Sequence, residues 1–180
     1  MRILIYFTAD THFFHKNIIK YENRPFDGLE DMHKSLIANW NDSVKAKDEI
    51  YILGDFSFGS KEQTLDLLEE LNGRKYLIKG NHDYPLKYKE VRNQFELVKD
   101  YYVLKYYNQY FILFHYPIFS WERKHYGSLH LHGHSHSKPI EFKHKNLINV
   151  GVDCNNFMPI CIDEIFDKDK SEVILKKTLI

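Results

Sequence analysis

An α/β fold is predicted for this chain of 180 residues by three observations. Short apolar runs rich in β-branched and aromatic residues recur along it, amphipathic helical patterns separate those of the first half, and residues able to bind metal or move protons close several of the runs. The first run, Ile3 to Phe7, is followed by a helical pattern in which Leu29, Met32, Leu36, Ile37, Trp40 and Val44 share one face. Ile50 to Leu53 forms the second run; Leu65, Leu68 and Leu71 then repeat the helical spacing over a shorter span before Tyr76 to Ile78. The first half therefore reads strand, helix, strand, helix, strand. From about Phe95 strand follows strand, through Tyr110 to Phe114, Leu129 to Leu131 and Leu147 to Val152, which points to a mixed sheet or a second sheet packed on the first. The tail, Glu172 to Ile180, reads equally as strand or helix.

With 43% hydrophobic and 28% charged residues the composition is that of an ordinary globular chain. No repeat, low-complexity tract or linker divides it, so a single domain over residues 1–180 is expected. The formal net charge of zero argues against stable binding of duplex nucleic acid. The N-terminal apolar run reaches Asp10 too soon for a signal segment, and no stretch approaches the roughly 20 apolar residues of a membrane span. A cytoplasmic setting without a membrane partner is expected. Two cysteines, Cys154 and Cys161, suggest buried thiols in a reducing compartment rather than a disulfide framework.

The chemistry stands at the run ends. In order, the runs lead into Asp10-Thr11-His12, Gly54-Asp55, Gly80-Asn81-His82-Asp83, His115 and Gly133-His134-Ser135-His136. In open α/β sheets ligands bind outside the carboxyl ends of strands, so five such endings define one expected site. Two Asp, one Asn and four His form an oxygen and imidazole set suited to Zn, Mn, Fe or Ni, with no thiolate to favour a closed structural zinc. Seven ligands exceed the needs of one ion. They suit two ions about 3.5–4 Å apart sharing a carboxylate, an arrangement that clamps an in-line displacement at phosphorus. Glycines 54, 80 and 133 precede ligands where the backbone must turn sharply or approach closely. Within Leu129 to Pro139, LHLHGHSHSKP, strand alternation sets His130 and His132 on one face until Gly133 ends the regularity.

This motif series, running from residue 10 to 136, resembles that of the calcineurin-like metallophosphoesterases, and its spacing is similar to that of their small, capless bacterial and phage members. The resemblance implies a four-layer α-β-β-α sandwich of two mixed β-sheets flanked by helices, with a dimetal centre at the strand ends. It assigns Asp10, His12, Asp55 and His136 to one ion, and Asp55, Asn81, His115 and His134 to the other, Asp55 bridging. His130 and His132 match nothing in it and read as structural. His82 matches a histidine that faces substrate, and is expected to protonate the leaving oxygen as a bridging hydroxide attacks. The implied cofactors are two divalent ions (Mn, Fe, Zn, Ni or Mg), and the implied partner is a phosphoester, with nucleotides among the candidates. The expected activity is a phosphodiesterase of small or nucleotide-like substrates; the alternatives are a nuclease or phosphomonoesterase of the same fold, or a scaffold that uses the fold for interaction.

One departure stands out. Phosphoprotein phosphatases of this family carry an Asp three residues after the bridging one, where it orients the catalytic histidine; here that place holds Phe58. On the substrate side, His15 and Arg24 are candidates to hold phosphate through charge-assisted bonds. Tyr116, Trp121, Arg123 and Lys124, after His115, form an aromatic and basic segment able in principle to stack a base.

Overall fold

The computed structural model describes residues 2–142, 144–167, 169 and 172–174. Its elements in the first half are β1 (Ile5–Thr8), α1 (Lys16–Tyr21), α2 (Leu29–Ser43), β2 (Glu49–Ile52), α3 (Lys61–Glu70), β3 (Arg74–Ile78), α4 (Lys89–Arg92) and β4 (Leu97–Lys99). There follow β5 (Tyr101–Tyr106), β6 (Gln109–Phe114), β7 (Leu129–His132), β8 (Leu147–Asn149), β9 (Ile160–Cys161), α5 (Ile162–Ile165), β10 (Phe166–Asp167) and β11 (Glu172–Val173). The start of the tail, Glu172–Val173, is thus a strand, paired with β10; positions 175–180, where strand and helix read equally, lie outside the described residues.

Two mixed sheets form the centre. The first has the order β4-β3-β2-β1-β9, parallel except for β9. The second has the order β5-β6-β7-β8, parallel except where β5 pairs with β6. Strand alternation divides the apolar residues between two cores. Tyr6, Ile50, Ile52 and Leu77 face α2 and α3, where Met32, Leu36, Trp40, Leu67 and Leu68 meet them. Phe7, Tyr51, Leu53 and Ile78 face the second sheet and pack on Phe111, Leu113, Leu129 and Leu131. Burial on both faces explains why the first-sheet strands read as unbroken apolar runs.

The helices are specified locally as well as by burial. Ser60 and Gln63 form a reciprocal capping box at the start of α3, and the Trp40 indole of α2 donates to the Asn72 carbonyl at 2.9 Å. The 3₁₀ turn Lys124–Tyr126 follows a loop that carries Trp121 onto the second sheet. His130 and His132 are buried. Trp121 lies over His130, with ring centroids 5.3 Å apart. No helix among the described residues is long and apolar enough to cross a membrane.

Candidate metal centre

The carboxyl ends of β1, β2, β3, β6 and β7 converge, and backbone pairing carries on past the strands to hold their loops together. Asp10, His12 and Phe13 donate their amides to the carbonyls of Gly54, Asp55 and Phe56, each at 3.0 Å, and Gly133 donates to His115 at 2.9 Å. Gly54 has φ +87°, and a Cβ there would lie 2.5 Å from His115 Nδ1 and 2.6 Å from Gly80 Cα. Only glycine satisfies both the turn and the close approach. Five of the seven expected ligands, Asp10, His12, Asp55, His134 and His136, have positive φ. Such conformations persist only where the surroundings over-determine them, and they cluster at functional sites.

Two groups of side chains form from these loops. Asp10, His12 and His136 bring ligand atoms within 4.8 Å of one another, as do Asp10, Asp55 and His115. Asp55 Oδ2 stands between the two sides, 3.7 Å from His12 Nε2 and 3.6 Å from His115 Nε2. The Asp10 carboxylate accepts the His134 amide at 2.8 Å, and Asp55 Oδ1 accepts the His82 amide at 2.8 Å. The His134 ring lies between those of Tyr116 and His115, with centroids 4.6 and 5.1 Å away, beside the second group.

The donor chemistry accepts cations. Both ring nitrogens of His12 are buried without a partner. Burial, then the charges of His136 and Arg24, pushes the His12 pKa down to about 2, so the ring is neutral and one of its nitrogens keeps a free lone pair. His115 directs Nδ1 to the Leu53 carbonyl at 2.7 Å. With that proton on Nδ1, a neutral ring presents the lone pair of Nε2 to the Asn81 Oδ1 acceptor 3.1 Å away. A cation between them resolves that confrontation. Burial pushes Asp10 up to about 7, a shift that a nearby cation reverses.

Groups behind the ligands, Asp153 and Arg24, lie outside the motifs. Asp153 accepts a hydrogen bond from His136 Nδ1 at 2.6 Å, leaving Nε2 to face the cradle. Burial opposes a charged His136, yet the Asp153 bond and the field of Asp10 raise its pKa overall. Arg24 corrects the expectation of a phosphate-holding residue. Its guanidinium is buried, donates to both Asp153 oxygens at 2.8 and 2.9 Å, and reaches the carbonyls of Thr11 at 2.9 Å and Asp10 at 2.7 Å. Its donors are committed inward, because closing the loop after α1 brings Arg24 under the Asp10 turn and not over the cradle. Asp83 is a clamp: its carboxylate accepts amides from Asp55 at 3.1 Å, Phe56 at 2.8 Å and Gly80 at 2.7 Å.

His15 does stand at the site, its ring 5.6 Å from that of His12 and stacked on Phe58 at 4.2 Å. His82 is half-buried, its ring 6.1 Å from that of His12. His130 sets Nδ1 3.0 Å from the Ile112 carbonyl and Nε2 3.1 Å from that of Tyr116; His132 donates from Nδ1 to the Gly133 carbonyl at 2.9 Å. Of the aromatic and basic segment, Trp121 is unavailable for base stacking because it is buried and donates to Ser128. Arg123 and Lys124 lie over their neighbours Tyr110 and Trp121, at 4.2 and 4.6 Å, whereas the Tyr116 hydroxyl reaches Asn81 Oδ1 at 3.3 Å.

Comparison with known proteins gives a consistent result. A family model described as calcineurin-like phosphoesterase matches residues 3–168. An uncharacterized protein of Methanocaldococcus jannaschii is 40% identical over 169 residues, covering 89% of this chain and 88% of that one. The Gene 66 protein of Mycobacterium phage L5 is 28% identical, covering 90% and 92%. Among solved structures, a protein of unknown function from Aquifex aeolicus superposes with a TM-score of 0.71 at 27% identity, covering 94% of this chain and 99% of that chain.

Proposed function

The chain belongs to the calcineurin-like phosphoesterase family, and from that membership we propose a phosphodiesterase of small or nucleotide-like substrates that works with two divalent ions. Asp10, His12, Asp55 and His136 would hold one ion, and Asp55, Asn81, His115 and His134 the other. The observation that carries this reading is His12, whose two ring nitrogens are buried without partners beside Asp55 and across from His115. When bound, the ions supply positive charge to the phosphoryl oxygens and lower the pKa of a water to roughly 7 in favourable sites.

The chain's own residues supply the rest. Asp153 fixes the His136 ring, the Leu53 carbonyl fixes that of His115, and Asp83 ties the loops after β2 and β3 together, so the ligands are held before an ion arrives. His82 stands beside the cradle with access to solvent and donates a proton to the leaving oxygen, a contribution of about 10²–10⁴-fold for a well-placed acid. The charges around the site favour a diester. Arg24, whose charge acts on both His12 and His15, is committed to Asp153 and two carbonyls. A monoester dianion therefore gains nothing from the Arg24 guanidinium, whereas a monoanionic diester does not need it.

The test is hydrolysis of a chromogenic diester and its matching monoester after chelation and after return of manganese, nickel, zinc or magnesium. Metal-restored turnover favouring the diester is expected. Preference for the monoester would overturn the diester assignment, and silence with every metal in folded protein would turn the reading to a scaffold.

A further inference from the structure

We propose that Tyr84 is the positioning residue of His82, holding the ring through its hydroxyl at Nδ1 while Phe58 fixes the plane of the ring. The inference deepens the general-acid reading of His82 and rests on it. Tyr84 Oη lies 3.2 Å from His82 Nδ1, the hydrogen-bond partner that the structure gives this ring. Phe58 packs on His82 with centroids 5.1 Å apart and meets Tyr84 edge-on at 5.9 Å. Phe58 is also stacked on His15 at 4.2 Å, with planes only 15° apart. The imidazole is thus backed by a phenyl ring that is itself braced, and tethered at one nitrogen.

The neighbouring carboxylate is not available for this task. Asp83 spends its oxygens on the amides of Asp55, Phe56 and Gly80. Tyr84 instead opens the 3₁₀ turn Tyr84–Lys87, whose Pro85 is buried, and that turn sets its hydroxyl beside His82. The chemistry suits a hydroxyl. A general acid that gives up its Nε2 proton must keep the other proton on Nδ1, and a phenolic oxygen accepts that N–H before and after transfer. Being neutral, it orients the ring without adding negative charge beside the phosphoryl group. In the balanced step a water loses one proton to solvent and its oxygen bonds to phosphorus as the bond from phosphorus to the leaving oxygen breaks. His82 passes its Nε2 proton to that oxygen, becomes a neutral ring protonated on Nδ1, and recovers a proton from solvent.

Tyr84 is 59% exposed, and phenylalanine keeps its ring, so Tyr84→Phe removes the hydroxyl with the packing retained. The experiment compares the metal-loaded wild type, Tyr84→Phe, His82→Ala and the double variant on two phosphodiesters, one with a nitrophenyl and one with an alkyl leaving group. A departing alkoxide needs its proton far more than a nitrophenolate does. Tyr84→Phe is expected to lower kcat for the alkyl diester by about 10-fold, part of the range for a general acid. KM, metal content and nitrophenyl turnover stay close to wild type. The double variant is expected to be no slower than His82→Ala. If Tyr84→Phe slows both substrates alike or neither, while His82→Ala slows the alkyl diester selectively, the role of Tyr84 is overturned and the general acid stands. If His82→Ala shows no such selectivity, the general-acid reading itself is overturned, and this inference with it.

Discussion

Arg24 and Asp153 are the pair on which the geometry of His136 depends. The guanidinium is fully enclosed and the carboxylate nearly so, and burial of two charges is tolerable only while each satisfies the other. Arg24→Ala leaves Asp153 charged, buried and short of donors, and is expected to destabilise the protein by about 3–5 kcal/mol in chemical denaturation. A phosphate-holding arginine behaves differently: its loss raises KM and spares stability. Asp153→Asn is nearly isosteric but leaves the buried Arg24 charge uncompensated and weakens the hydrogen bond that orients His136, so lower stability is expected together with a fall of about 10–100-fold in metal affinity, read on the folded fraction by competition with a chelator. An unchanged affinity would count against the assignment of His136 as a ligand. At this scale the sequence was legible where a residue lies in a motif and silent where it acts from elsewhere in the chain. Asp10, His12 and Asp55 announce themselves by type and spacing. Asp153 follows His136 by seventeen positions with nothing local to mark it, and Arg24 looks like a substrate contact because proximity in sequence to His12 says nothing about which way a long side chain points.

Between residues and the whole, the elements set where the loops begin. The loop after β1 carries His12 and is tied to α2 through His33, whose Nε2 accepts the Phe14 amide at 2.8 Å. Burial holds the pKa of His33 below its usual value, so as pH drops below about 6.5 the unfolded chain takes up this proton before the folded one does. The unfolded state then holds more protons, and stability falls as pH drops through that value. His33→Gln, whose amide oxygen can also accept, is expected to flatten this part of the acid limb when unfolding of the metal-free protein is compared at pH 7 and 5.5. At the start of α3, Ser60→Ala removes one half of the capping box, and a loss of about 1 kcal/mol is expected from urea unfolding. The helices α2 and α3 and the central strands were legible because each buries a regular apolar pattern. The short helix α1 was not: six residues with one buried side chain, Ile18, give no periodicity to read. The turn at Tyr84 escaped for the same reason, four residues whose meaning lies in what they place beside His82.

For the molecule as a whole, the site is built on top of two apolar cores and contributes to neither. Phe7, Leu53, Ile78, Leu113 and Leu131 pack between the sheets, and Ile50, Ile52 and Leu77 pack under the helices, all without the cradle. Chelation is therefore expected to abolish turnover while the far-ultraviolet circular dichroism and a cooperative unfolding transition persist. A protein in which zinc merely holds the fold together would melt instead. The resemblance read from five motifs and the match of the family model over residues 3–168 agree on the architecture, which the two mixed sheets display. On the proposed function, these strand ends hold two ions and hydrolyse a phosphodiester with them. Titration of manganese into chelated protein, with bound metal and diester turnover followed together, tests it most directly. No turnover is expected without metal, then a rise that levels off at two ions per chain; turnover that survives chelation, or folded protein that fills with metal and hydrolyses no diester, would overturn the proposed function.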